Sequence, residues 1–288
     1  MIVPHPRLSI NQATITRTTV AEAVRVTKDA GVGAIGLWRE QVQEAGLAES
    51  ARIVAGSGLR YSTHCRGGWF TAEEGPVRRA ALDDNRVAIE ETATLAAAGA
   101  PGSRAVLVLV VGGLPEGSRD LAGARARVRD AVAELAPDAE AAGVTLALEP
   151  LHPMYASDRS VLSTLPQALD IAAGFDPAVV GVAVDTFHLW WDPDVLAHIG
   201  RAGREGRIAA YQVCDWRTPL EADNLLSRHY PGDGVIDFGP LTRAVEAAGY
   251  DGDVEVELLN QAIWDAPPAE AVRRTVAGFG RAVAPHLG

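Results

Sequence analysis

Four oxygen-bearing side chains fall near the ends of four different strand-like runs: Glu149 in VTLALEP, Asp185 in VGVAVDTFH, Gln212 in IAAYQVCDW and Glu257 in GDVEVELLN. A carboxylate that ends a mostly apolar strand is costly unless it is paired, solvated or bound to a metal. Glu149, Asp185 and Glu257 all have that placement. Parallel strands of a closed barrel deliver their C-terminal ends to one mouth, so side chains far apart in sequence can converge on one divalent ion. Such a set suits a metal-dependent enzyme acting on a polar carbonyl substrate.

The elements that must position these residues alternate along the whole chain. Strand-like runs begin at Leu8, Ala34, Leu59, Ala105, Val144, Val179, Ile208 and Asp253. Several are near-continuous apolar runs, as expected of parallel strands covered by helices. Between them lie Ala-rich amphipathic segments such as TVAEAVRVTKDAG and PLTRAVEAAGY. Gly31, Gly99, Gly143 and Gly249 are expected to close helices in the left-handed conformation. Thr19 and Asp84 are expected as N-caps, and Pro137 is expected to kink or break the helix before the fifth strand. The longest irregular stretches are expected after strands three, six, seven and eight. The pattern predicts an α/β chain folded as a single (β/α)8 TIM barrel over residues 1–288. The first βα turn lacks a GxGxxG, which weakens a dinucleotide-binding reading.

Composition narrows the function. The chain has 288 residues, 48% of them hydrophobic and 22% charged, enough to bury a core without disulfides or structural metals. A formal charge of −11 opposes unspecific binding to nucleic acid. The densest basic run, Arg125, Arg127 and Arg129, places its charges on different sides of a helix. The two cysteines, Cys65 and Cys214, fit a reducing compartment. The N-terminus carries no signal-peptide pattern, and no stretch approaches the roughly 18 apolar residues of a membrane span, so a cytoplasmic protein is expected. Lys28 is the only lysine, which disfavours Schiff-base chemistry and, more mildly, a phosphosugar substrate.

The segments LALEP, VDTFHLWWDP, YQVCDW, PGDGVIDF and VEVELLN together resemble the xylose-isomerase-like TIM-barrel superfamily of sugar isomerases and epimerases. The resemblance covers essentially the whole barrel and is strongest from about Val144 to Gln261. It implies one divalent metal held by Glu149, Asp185, Gln212 and Glu257, with Glu149 and Glu257 also exchanging protons with the substrate. The strand-seven ligand of this superfamily is usually a histidine, and here it is Gln212. An all-oxygen site favours Mn²⁺ or Mg²⁺, with Co²⁺ or Zn²⁺ as alternatives. The resemblance further implies that His188 donates to a substrate hydroxyl or to the developing enediolate oxygen, and that Arg217 orients the substrate. His64, at the end of the third strand, is read either as a substrate contact or as a structural histidine. Trp38 and His152 are weaker candidates at the rim. Trp69, Trp190 and Trp191 are read as a wall against a sugar's C–H face or as loop packing, and Arg228 with His229 is expected near the mouth.

The resemblance thus implies an isomerase or epimerase of a ketose, inosose or related polyol-ketone, acting by proton abstraction next to a carbonyl. The alternative is a lyase on the same scaffold, such as an inosose- or dehydroshikimate-type dehydratase, or an enzyme that eliminates from an oxidised sugar glycoside. A metal-dependent endonuclease is disfavoured by the acidic charge and the scarcity of histidines. A barrel that only binds is the remaining class. The expected partner is a small sugar or polyol-ketone, with neither nucleic acid nor membrane, and a homo-oligomer is expected only weakly.

Overall fold

The apolar runs fold as eight strands: β1 (Leu8–Asn11), β2 (Ala34–Trp38), β3 (Arg60–Gly68), β4 (Val106–Val110), β5 (Thr145–Leu148), β6 (Val180–Asp185), β7 (Ile208–Val213) and β8 (Val254–Val256). The structure, a computed structural model, describes residues 3–288. Each strand pairs in parallel with its sequence neighbours. β1 pairs with β2 through Ser9 and Ala34 and with β8 through Leu8 and Val254, which closes the ring. Every residue of β4 and β6 is buried, because helices cover the outer face while the barrel interior covers the inner one. Val24, Val54, Leu95, Val132 and Phe279 of the surrounding helices join the strands in one core.

Side chains alternate along a strand with period two, so the inward-facing set is fixed by any one member. One turn of that alternation below the rim, Val106, Ala147, Ala183 and Ala210 form a separate small-residue cluster contributed by β4 to β7. The other half of the interior, beneath β8 and β1 to β3, is polar, with Ser9, Asn11, Ser62, Thr63 and Glu255 all buried. The barrel therefore has an apolar half-floor and a hydrogen-bonded half-floor beneath its mouth.

Several local expectations hold. Thr19 caps the helix Val20–Asp29, accepting from the Glu22 amide at 3.2 Å. Gly31, Gly143 and Gly249 take positive φ at helix ends, but Gly99 is extended at φ −72°. Asp84 is not a cap. The helix Pro76–Ala98 starts a full two turns earlier on Pro76, whose fixed φ suits a first helical turn, and Asp84 pairs instead with Arg39 at 2.8 Å. Pro137 does not break its helix, which runs from Leu121 to Ala142. It sits on the exposed face, where water can take the carbonyl that the missing N–H leaves free. The largely irregular stretch after β5, residues 149–164, is longer than the sequence reading expects, whereas β6 passes straight into the short helix Thr186–Leu189. Among the described residues no helix is long and apolar enough to cross a membrane.

Candidate active site

At the C-terminal ends of the strands lies a cavity of about 140 Å³ whose polar wall includes Glu149, His188, Arg228 and Glu257. Glu149 follows β5 and Glu257 follows β8, so the two carboxylates reach the cavity from well-separated points on the ring. Asp185 ends β6. Its Oδ1 accepts from the Phe187 amide at 2.8 Å, which caps the next helical turn and carries His188 inward. Ligand atoms of Glu149, Asp185 and His188 all lie within 4.8 Å of one another, and all three residues are buried. His188 Nδ1 accepts from the His152 amide at 3.1 Å, while its Nε2 stands 2.9 Å from Arg228 Nη2. A neutral imidazole has one acceptor nitrogen and can satisfy only one of these donors.

Arg228 is the cation of the cluster. Its Nη1 lies 2.8 Å from Asp185 Oδ2 and 2.9 Å from Glu257 Oε2, and its guanidinium lies over the Phe187 ring at 4.8 Å. A two-stranded antiparallel ribbon, Asp215–Trp216 against Arg228–His229, presents it. The Asp215 carboxylate fixes that ribbon by accepting from the amides of Trp216, Gly232, Gly234 and Ile236 at 2.8–3.0 Å. Four backbone donors on one acid make a stiff support for the arginine.

The electrostatics follow from this crowding. Burial, reinforced by the charges of Asp185 and Glu257, pushes the Glu149 carboxyl well above the usual carboxylate range. Burial also raises Glu257 to about 7, with the positive charge of Arg228 pulling the other way. His188 is held neutral, because burial and the nearby Arg228 both oppose its protonation.

Below the cavity, Glu255 organises the polar half-floor. It accepts from Asn11 at 2.8 Å, Ser62 at 2.5 Å, Thr63 at 2.8 Å and Gln212 Nε2 at 2.9 Å. Asn11 Oδ1 in turn accepts from the Trp38 indole at 2.7 Å, which fixes that ring at the cavity edge. Gly36 makes the space for this carboxylate: a Cβ there would lie 2.8 Å from the Glu255 carboxyl carbon and 3.0 Å from Thr63 Oγ1. With its nitrogen committed to Glu255, Gln212 leaves Oε1 buried and without a partner, as is Glu149 Oε1. Two orphaned acceptor oxygens beside Asp185 and His188 are the donor types that suit a divalent cation, and on that ground the residues fit one.

The structure thus brings Glu149, His188, Glu257 and Trp38 to one cavity, sets Asp185 buried beside Glu149 and His188, and places Gln212 on β7 beside both Asp185 and Glu255. Two expected residues lie elsewhere. His64 is buried against Glu91 at 3.2 Å, inside an Arg39–Glu91 ion pair, and does not line the cavity. Arg217 points outward to His229 at 3.3 Å and lines a separate surface depression. The arginine facing the carboxylates is Arg228, eleven positions later on the returning strand of the ribbon. Arg66 and Arg159 also line the cavity. No motif marks either, and only the barrel register at β3 and the long β5 loop could have indicated them.

Comparisons with known proteins agree with this geometry. The model of a family described as xylose isomerase-like TIM barrel matches residues 24–281. A crystal structure of a protein from Sinorhizobium meliloti 1021 shares 45% identity, with a TM-score of 0.90 over 96% of this chain and 98% of that one. The IolI protein, solved with a bound zinc atom, shares 20% identity at a TM-score of 0.82 over 98% of this chain and 99% of that one, a likeness of fold. A curated 3-dehydroshikimate dehydratase from Pseudomonas aeruginosa is 32% identical over 156 residues, 51% of this chain; the match spans 23% of that relative's length.

Proposed function

Since the chain belongs to the xylose isomerase-like TIM-barrel family, we propose that it is a divalent-metal-dependent enzyme that moves a proton next to the carbonyl of a small sugar or polyol-ketone. The observation that carries this reading is that Glu149 and Glu257 line one cavity from well-separated points on the barrel ring. Glu257 takes the proton from carbon, and Glu149 returns one from another side of the substrate.

Glu149, Asp185, Gln212 and Glu257 would hold the metal. This all-oxygen set favours Mn²⁺ or Mg²⁺, with Co²⁺ or Zn²⁺ as alternatives. A divalent ion held there would supply Lewis-acid polarisation of the substrate carbonyl. The other residues act on the same substrate. With Nδ1 accepting from the His152 amide, neutral His188 presents Nε2–H as a donor to a hydroxyl. Trp38, fixed through Asn11, covers the edge of the cavity and excludes water.

Return of the proton without loss of oxygen makes the enzyme an isomerase or epimerase. A dehydratase is the second reading, supported by the identity to a 3-dehydroshikimate dehydratase over half of this chain. The same abstraction followed by expulsion of a β-hydroxyl gives that outcome. Proton NMR of the Mn²⁺-loaded enzyme in D₂O with ketoses, inososes and cyclic keto-polyol acids separates the readings. Deuterium beside the carbonyl with a new epimer or aldose supports the first, and an enone with loss of hydroxyl supports the second. Absence of both across the panel, from protein that binds Mn²⁺, overturns the proton-transfer reading.

A further inference from the structure

The cavity is electrically lopsided. Its lining carboxylates, Glu149 and Glu257, come from the ends of β5 and β8, and Arg228 already pairs with Glu257 and with the buried Asp185 of β6. The wall over β3 and β4, extended by the loop after β5, carries two more guanidiniums. Arg66 leaves the end of β3, and Arg159 comes from the loop after β5, with Val108 and Val110 of β4 between them on the cavity floor. The β5 loop is pinned to the β4 rim by bonds from Gly112 N to Arg159 O and from Val161 N to Gly112 O, both 2.9 Å.

The two arginines differ in their counter-charge. The Arg66 guanidinium lies 5.7 Å from the Trp38 ring and 5.2 Å from the Trp69 ring, between two indoles, and its Nε is buried without a hydrogen-bond partner. No carboxylate among the described residues forms an ion pair with it. Arg159 forms a long ion pair through Nε with Asp158, at 3.7 Å and mostly exposed, and that buried Nε makes no hydrogen bond. Arg66 is half-buried in the cavity wall with no carboxylate among the described residues at ion-pair distance, in a chain of net charge −11. The Gly68 turn sets Trp69 in place: a Cβ at Gly68 would lie 2.5 Å from the Val110 carbonyl carbon, and Trp69 itself takes φ 65°. The indole cage around Arg66 is therefore built by the backbone rather than left to chance.

We propose that the β3–β5 wall is an anion subsite, in which Arg66 and Arg159 receive a carboxylate at the end of the substrate remote from the reacting carbonyl. The proposal rests on the reading of the cavity as the catalytic site and narrows its substrates to acidic keto-polyols. A guanidinium fork matches a planar carboxylate in two parallel hydrogen bonds. A cavity of about 140 Å³ with Val108, Val110, Leu151 and Leu259 in its wall suits a compact carbon ring bearing one such group better than a phosphorylated chain.

The test is direct binding to the Mn²⁺-loaded protein, read by indole fluorescence and calorimetry, with quinate, myo-inositol and inorganic phosphate as probes. Quinate is expected to bind at least tenfold more tightly than myo-inositol and than phosphate. Arg66→Gln and Arg159→Gln should each weaken quinate by about tenfold, the scale of one charged hydrogen bond, and leave myo-inositol unchanged. Arg66→Lys should recover part of the loss, and circular dichroism should show every variant folded. Equal binding of quinate and myo-inositol, a preference for phosphate, or variants that bind quinate as the wild type does would each overturn the proposal. Quinate binding that depends on both arginines, in a protein that exchanges no substrate proton, would uphold the subsite and sink only the catalytic reading. Proton exchange on neutral ketoses without quinate preference would do the reverse.

Discussion

Arg228 Nη1 donates to Asp185 Oδ2 at 2.8 Å while lying 2.9 Å from Glu257 Oε2, so a buried guanidinium bridges two carboxylates of the site. Arginine and a divalent ion would compete for the same oxygens. Replacing the arginine removes one claimant and leaves two buried acids uncompensated.

Arg228→Met is therefore expected to destabilise the metal-free protein by about 3–5 kcal/mol, the cost of breaking a buried ion pair on one side. Added Mn²⁺ should restore much of that loss by binding the native state. The check is the melting temperature with and without Mn²⁺. A smaller Mn²⁺-induced rise in the variant than in the wild type would contradict the competition.

Glu257→Gln keeps the shape of the side chain and removes its ability to accept a proton. Turnover is expected to fall by roughly 10²–10⁴-fold, with the circular dichroism spectrum unchanged. Wild-type rates in that variant would remove Glu257 from the proton-transfer step.

Gly36→Ala should disturb the site from below. Its Cβ would press on Glu255 and Thr63, and overpacking of this kind costs about 1–3 kcal/mol. Because Glu255 holds both Gln212 and, through Asn11, Trp38, the Mn²⁺ affinity measured by calorimetry should fall together with the melting temperature. A drop in stability alone would mean that the polar half-floor does not position Gln212.

The Arg39–Glu91–His64 cluster predicts acid sensitivity away from the cavity. Burial alone would raise the Glu91 carboxyl, but hydrogen bonds from His64 and Arg39 hold it at about 2, below its ordinary value of 4.5. The group therefore stabilises the fold above its unfolded value, and that contribution is lost as the pH falls through 4.5 toward 2. The difference in melting temperature between wild type and Glu91→Gln should shrink steadily from about pH 6 to about pH 3. A difference independent of pH would show that Glu91 acts through packing.

The barrel was legible because apolar runs and Ala-rich helices alternate with little interruption, and because parallel strands covered on both sides leave that pattern. Asp185 and Glu257 were legible for a related reason: charges at the ends of apolar strands stand out. The rim arginines were not. Arg66 lies near the end of β3 in a sequence rich in arginine, and nothing local distinguishes it from the ion-paired Arg78 or Arg86. Arg217 drew attention by its nearness to the β7 end, but the chain turns there and returns as an antiparallel ribbon, so the inward position belongs to Arg228. Asp84 misled because a capping residue type inside a helix is indistinguishable from a cap until the helix start at Pro76 is known.

The knot of amides around Asp215 has a consequence for exchange with solvent. Gly232, Gly234 and Ile236 lie on a surface excursion where amide protons ordinarily trade with water within seconds. Tied to one buried carboxylate, they should remain deuterium-resistant on the timescale of the barrel strands themselves. The excursion that carries Arg228 would then open only with the barrel, acting as a fixed beam rather than a hinged cover.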